Sequence, residues 1–316
     1  MNIKTYKIDT SLGGKCFNYI VNKYKNDILI VINKIKPLYE KYINYLTFGL
    51  DVYKSTGGII MYEDEIAEIS GLLGISFVEC LLMQLTYEFC SACTSSIKYQ
   101  YDLAEYILIR TMDWNLPELK KITVRLSFFD KDKYLFDAVG WVGCVGVFTG
   151  LKKNEYSVAM NYRRSEKPNF MDNMMGLWKG HFPCSFYLRN LLSFPSESLS
   201  GSLKNLEEVY FVAPCYLTIL SSDKRYILIR GRSTHSLKDN SKDFLIQTNI
   251  DDVTSPECVN ILYSKERHSH MLKMFVGEKI YDLKDVISHI KKYPVTNEET
   301  IYKTIISLKD FLYIDI

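Results

Sequence analysis

The stretch Cys93-Thr94-Ser95-Ser96-Ile97, a polar turn, and then Ile107-Leu108-Ile109-Arg110-Thr111-Met112-Asp113 decides how this chain is read. Both flanks are rich in β-branched residues and a polar turn separates them, so they read as a β-hairpin. A cysteine heads the first strand, and an arginine and a carboxylate close the second. A thiol becomes a nucleophile when a base takes its proton and a positive neighbour favours the thiolate. Arg110 and Asp113 supply charge of both signs. The same pattern also suits a buried structural cysteine beside a surface ion pair, because most free cysteines are inert core residues. Spacing alone leaves both readings open.

Upstream of the hairpin the texture is helical. Phe17, Ile20, Val21, Tyr24, Ile28, Val31 and Ile35 recur at helical spacing over 15–36, and Pro37 breaks or restarts that helix. A second segment runs through Tyr39, Tyr42, Ile43 and Leu46, and 51–58 reads as a loop ending in Ser55-Thr56-Gly57-Gly58. Glu63, Asp64 and Glu65 open a helix whose dipole they complement, and Gly74 stops it. The three acids read as a solvated helix start rather than a metal cluster. Ser76 and Glu79 form a capping box for another helix through Leu85. The first 92 residues are thus expected to be a helical segment.

Downstream the texture changes to strands. Alternation marks 122–128 and 133–139 across a turn at 130–132, then 156–162, a hairpin of 209–220 with 225–232, and 244–249. Residues 171–195 read as partly helical, and from Lys279 helical and short strand patterns alternate. The glycine-rich run 140–146 has no following helix, so it is not a nucleotide loop. Helices followed by many antiparallel strands argue an α+β fold of stacked sheets covered by helices.

Composition narrows the function. The 316 residues carry a formal net charge of +2, which gives no reason to expect a nucleic-acid partner. No run of apolar residues is long enough for a membrane span. Met1 to Lys7 lead into no signal-type apolar region, and the chain holds no Asn-x-Ser/Thr acceptor, so a cytoplasmic placement is expected. Of the eight cysteines only Cys90 and Cys93 have Cys-x-x-Cys spacing, and they end a helical pattern where a redox motif would start one. The five histidines, His268-x-His270 included, show no zinc spacing.

Several runs together resemble one family. They are Gly74-Ile75-Ser76 to Glu79, Leu85-Thr86-Tyr87-Glu88, Ala92-Cys93-Thr94-Ser95 and Arg110-Thr111-Met112-Asp113. Gly143 to Gly150, Ala213-Pro214-Cys215-Tyr216, Ile229-Arg230-Gly231-Arg232, Gln247-Thr248-Asn249 and Glu266-Arg267 continue the series in order. The chain is similar over roughly 60–275 to acid ceramidase and N-acylethanolamine-hydrolysing acid amidase. The resemblance implies a four-layer αββα N-terminal-nucleophile hydrolase fold with an N-terminal helical segment. Residues 1–92 would be an α-subunit or propeptide and 93–316 the catalytic β-subunit, the two fragments staying associated as one compact unit. It implies a chain that cuts itself between Ala92 and Cys93 and then hydrolyses a fatty-acyl amide through a thioester, without cofactor or metal.

In that scheme the new α-amine of Cys93 is the base, which suits its ordinary pKa of about 7.7–8 against about 10.4 for lysine. Asp113 would hold the amine, Arg110 would stabilise the thiolate or orient the carbonyl, Asn249 would donate to the oxyanion, and Arg267 would brace Asn249 or the amine. From the residues alone Asn249 reads as a strand-end turn residue. Trp141, Phe148, Met160, Met174, Met175 and Trp178 are candidates for an acyl channel, with core packing as the competing reading of each. Peripheral contact with a membrane or micelle is a further expectation. Two departures stand out: Tyr162, in Asn161-Tyr162-Arg163, occupies an acidic position of the family, and Ile109 replaces a glycine. They motivate an alternative, a catalytically impaired lipid-binding or regulatory relative; a third is an amidase for another N-acyl substrate such as a bile-salt conjugate. By analogy the family's placement is lysosomal.

Overall fold

The computed structural model describes residues 3–86, 92–163, 170–194, 199–238, 243–251, 260, 263–277, 280 and 282–316. A short strand β1 (Thr5–Asp9) leads through a 3-10 turn into α1 (Asn18–Ile35), followed by α2 (Ile43–Ser55), α3 (Glu63–Leu73) and α4 (Phe77–Leu85). The hairpin is β2 (Ala92–Gln100) with β3 (Glu105–Asp113). Then come α5 (Leu119–Ile122), β4 (Thr123–Asp130), β5 (Lys133–Trp141), β6 (Thr149–Lys152) and β7 (Tyr156–Tyr162). Helices α6 (Phe170–Trp178), α7 (Cys184–Ser193) and α8 (Leu199–Glu208) precede β8 (Cys215–Ser221), β9 (Arg225–Arg230), β10 (His235–Lys238) and β11 (Phe244–Gln247). The chain ends with α9 (Ser264–Gly277), α10 (Leu283–Ile290), β12 (Thr300–Ile306) and β13 (Phe311–Asp315).

The strands form two sheets. Sheet A is eight-stranded in the order β1-β4-β5-β6-β7-β8-β9-β10, and sheet B five-stranded in the order β11-β2-β3-β12-β13. They stack face to face: Ser95 Oγ meets Thr218 Oγ1 at 2.6 Å, and Thr149 Oγ1 meets Tyr302 Oη at 2.9 Å. Helices α9 and α10 cover the far side of sheet B, where Met271, Met274 and Val286 pack on Ile107, Ile109 and Ile305. Helix α7 covers the far side of sheet A, with Leu191 accepting a 3.1 Å hydrogen bond from Tyr156. The result is stacked sheets covered by helices, as the order of elements argues, in the four-layer αββα arrangement that the family resemblance implies.

Local signals explain most boundaries. The Ser76–Glu79 capping box is made in both directions, and Gly74 ends α3 in the left-handed conformation that glycine adopts without penalty. Three expectations are corrected. Residues 51–55 continue α2, because the Ser-Thr-Gly-Gly breaker acts only from Thr56 onward. Residues 209–214 are not part of β8, whose start is set by Pro214, a residue without an N–H to give a ladder. The first 92 residues are also not wholly helical, since β1 pairs parallel to β4 from Thr5↔Arg125 to Asp9↔Phe129. Of the Cys90–Cys93 motif, Cys90 lies outside the described residues. Ile109 sits in unbroken β3 pairing, opposite Ser96 and Ile305.

The N-terminal segment is tied to the rest by a buried ion pair. Arg189 Nη2 of α7 donates to Glu65 Oε1 of α3 at 2.8 Å, and Nη1 donates to both Glu65 Oε2 and the Val145 carbonyl. The guanidinium lies 4.1 Å from the Tyr62 ring centroid and 5.1 Å from that of Phe128. Glu65 is therefore buried against an arginine, which corrects its expected place in a solvated helix start: its direction on α3 points it into the core, where Arg189 offsets its charge. Breaking a buried pair strands a charge, which costs more than the pair contributes. Arg189→Met is expected to lower stability by about 3–5 kcal/mol, and Glu65→Leu combined with Arg189→Met to recover most of it. Urea unfolding of the two single variants and the double checks this; additive losses would contradict it.

Candidate active site

Cys93 is fully buried near the start of β2. Side chains alternate along a strand, so residues 93, 95 and 97 share one face and 94 and 96 the other. The register pairs Cys93 with Met112 and Ser95 with Arg110, which brings these four to the face that meets sheet A. There Arg110 Nη2 donates to Cys93 Sγ at 3.2 Å, and Met112 Sδ lies 3.5 Å from the same sulfur. Nη1 of Arg110 donates to Asn161 Oδ1 of β7 at 2.6 Å. A delocalised cation thus touches the thiol from inside the sandwich, in surroundings where charge is poorly screened.

Asp113 is three residues beyond Arg110, so the strand turns it to the opposite face, towards α9. It pairs with Ala92 across the hairpin and accepts a 2.7 Å hydrogen bond at Oδ1 from Thr300 Oγ1 of β12. Oδ2 stands 3.5 Å from Arg267 Nη1. Burial pushes the Asp113 carboxyl above the usual carboxylate range, against the opposing pull of Arg267, Thr300 and Arg110. Arg267 is fully buried, and its Nη1 donates to Thr94 Oγ1 at 2.8 Å. Its Nη2 donates to Asn249 Oδ1 at 3.0 Å and to Ser264 Oγ at 3.1 Å.

Asn249 joins the two sides. It follows β11, where the sequence also reads as a turn, and its Oδ1 accepts the Cys93 N–H at 2.7 Å as well as the Arg267 contact. Its Nδ2 donates to the Tyr162 carbonyl at 2.7 Å. Tyr162 therefore enters the site through its backbone. The structure brings Cys93, Arg110, Asp113, Asn249 and Arg267 into one connected cluster, with Ala92 at its edge. The Cys93 N–H is accepted by Asn249, not by Asp113.

The proposed acyl-channel residues separate. Trp141 and Phe148 are buried core, with ring centroids 5.1 Å apart, beside a cavity of only about 30 Å³. Met160 is likewise core. Met174, Met175 and Trp178 of α6 line a different space, an apolar groove of about 510 Å³ between α2, α4 and α6. That size is ordinary for a ligand pocket. Tyr45, Leu50, Leu82 and Phe182 line its other walls. Trp178 and Met175 remain 47% and 49% exposed, so the groove opens to solvent. Among the described residues no single helix is long and apolar enough to cross a membrane.

Sequence reasoning assigned no role to Asn161, Thr94, Ser264 or Thr300. Thr300 reaches Asp113 across a separation of 187 residues, and only the pairing of β12 with β3 brings them together. Asn161 was visible as part of a motif, but its direction depends on which face of β7 meets sheet B.

No protein-family model matches the chain. The uncharacterised protein R632 of Acanthamoeba polyphaga mimivirus is 31% identical over 77% of this chain and 76% of its own length. Mouse N-acylethanolamine-hydrolysing acid amidase is 25% identical over 78% of this chain and 68% of its own, and acid ceramidase of the minke whale Balaenoptera acutorostrata scammoni is 24% identical over 90% and 80%. Among solved structures, a Caenorhabditis elegans N-acylethanolamine-hydrolysing acid amidase orthologue superposes with a TM-score of 0.58 at 23% identity, covering 68% of this chain and 93% of that one. The hairpin with its leading cysteine, the αββα layers and these relatives agree: the chain belongs to the amidase family that contains N-acylethanolamine-hydrolysing acid amidase and acid ceramidase.

Proposed function

We propose that this protein is a self-cleaving cysteine amidase that hydrolyses a fatty-acyl amide, with Cys93 as nucleophile. The observation that carries the reading is the double hold on Cys93, guanidinium on the sulfur and Asn249 on the nitrogen. In the first stage Cys93 Sγ attacks the Ala92 carbonyl, the acyl group moves from nitrogen to sulfur, and water hydrolyses that thioester. This leaves residues 1–92 and a chain beginning with a free α-amine. In the second stage the amine takes the thiol proton, the sulfur attacks the substrate amide, and the proton passes to the departing amine. Water then releases the fatty acid and restores the thiol.

Other residues fit roles in this scheme. Arg110 faces the sulfur from within a buried layer, where its guanidinium fixes the direction of the thiol. An amide nitrogen carries two hydrogens, so Asn249 Nδ2 has one for the Tyr162 carbonyl and a second for the oxyanion, a type of contact whose loss costs roughly 10²–10³ in rate. Loss of Ala92 removes the residue paired with Asp113, and the carboxylate then adjoins the new amine. The groove bounded by Met174 and Trp178 accepts the acyl chain, and its exposed rim suits peripheral contact with a membrane or micelle.

The first test is intact mass. Purified protein is expected to convert into two fragments separating after Ala92, with Cys93→Ala remaining whole and showing no hydrolysis of an N-acylethanolamine or ceramide. A chain that stays whole and inactive at both acidic and neutral pH overturns the amidase reading and favours the lipid-binding relative.

A second test uses the pH dependence of stability. Asp113 has a folded pKa above its ordinary 3.8, so the native state holds that proton more tightly than the unfolded chain. The stabilisation is full below 3.8 and is lost as pH rises through the folded value. Measured on Cys93→Ala protein by urea unfolding, the stability of the parent minus that of Asp113→Asn is expected to become more negative as pH rises above 3.8. A difference that is constant or grows in the other direction would show that the carboxylate is not held protonated.

A further inference from the structure

Asn161 is fully buried on β7, and each end of its amide is used. Oδ1 accepts from Arg110 Nη1 at 2.6 Å, while Nδ2 donates to the Gln247 carbonyl at 3.0 Å. The Thr248 carbonyl lies 3.5 Å from the same nitrogen. Gln247 ends β11, and only Thr248 separates it from Asn249. One side chain of sheet A therefore touches both arms that reach Cys93 from sheet B. One arm is the guanidinium on the sulfur, and the other is the turn whose asparagine holds the nitrogen. An amide suits this place, because it offers one acceptor and one donor side by side, which no hydrocarbon, hydroxyl or carboxylate does in that shape.

We infer that Asn161 is a positioning residue that couples Arg110 to the Asn249 turn, setting thiol and amine in register for the reaction. The inference rests on the amidase reading of Cys93. Asn161 itself touches neither the sulfur nor the substrate. Without it, Arg110 Nη1 loses the Asn161 oxygen and the Gln247 carbonyl loses a donor, in a layer where each lost hydrogen bond is costly. The guanidinium then turns away from the thiol and the turn relaxes. Displacements of about 1 Å at reacting groups cost about 100-fold in rate.

Two variants separate the arms. Asn161→Ala removes both contacts, whereas Asn161→Asp keeps an oxygen for Arg110 and gives up the donor to Gln247. Asn161→Ala is expected to lower kcat about 100-fold with KM changed less than about threefold, and Asn161→Asp to lower kcat only about 10-fold. Self-cleavage should slow in the same order. Parent protein is assayed first, so that an inactive parent counts against the amidase reading and not against the coupling. A readout independent of activity comes from ¹⁵N-arginine labelling, with the Arg110 signals assigned through Arg110→Lys. Held at both ends, the Arg110 guanidinium should give separate Nη–H resonances in the parent that persist in Asn161→Asp and average in Asn161→Ala. If Asn161→Ala fails to fold, Asn161→Asp alone carries the test. Variants with parental kcat, a change confined to KM, or unchanged Arg110 signals in folded Asn161→Ala would each overturn the inference.

Discussion

Cys93 lies where sheet B divides two packed layers, so its sulfur and its nitrogen are served from different sides. The sulfur faces sheet A, where Arg110 meets it. The nitrogen is met by Asn249, whose same oxygen is held from the α9 side by Arg267. This follows from the pleat of a strand, which fixes the direction of every side chain once the register is set. A slip of one residue between β2 and β3 would turn Arg110 towards the helices and remove it from the thiol. The register is held by pairing of β2 on both edges, with β11 on one side and β3 on the other.

Such a site carries a cost in buried charge. Arg110, Arg189, Arg230 and Arg267 are among the largest fully buried side chains. Each is matched by acceptors: Asn161 for Arg110, Glu65 for Arg189, backbone carbonyls of Glu207 and Val209 for Arg230, and Asn249, Thr94 and Ser264 for Arg267. Buried cations are tolerated when hydrogen bonds replace their hydration, and the planar fork of arginine suits several fixed acceptors at once. Two of the four serve Cys93 directly or through Asn249, and Arg189 binds the N-terminal segment to α7.

What the sequence disclosed was mostly local. The Ser76–Glu79 box, the stop at Gly74 and the β2–β3 hairpin each depend on residues close together, and each appears where those residues place it. Elements fixed by distant partners were less legible. Strand β1 is five residues long and gains its identity only beside β4, and β12 reaches β3 only through the fold. In the site, Cys93, Arg110 and Asp113 could be read from one hairpin, but strand alternation divides the last two between faces. Asn249 and Arg267 drew attention through family resemblance, since a turn residue and a helix residue carry no mark of their destination. Trp141 and Phe148 show the reverse: aromatic character signals burial, and it does not tell core from groove.

The parallel pairing of β1 with β4 bears on what kind of object a severed chain would be. Its smaller piece would still contribute an edge strand to the eight-stranded sheet, joined through main-chain hydrogen bonds that do not depend on side-chain identity. Such a molecule would be a split protein whose two pieces share one sheet. Neither half, produced by itself, would inherit a finished surface: one would lack the sheet that its strand completes, and the other would expose β4 as a raw edge open to pairing with foreign strands. In such a chain, continuity up to the moment of cutting would act as a built-in chaperone, delivering the small piece in the right place at a local concentration that no separate fragment could match.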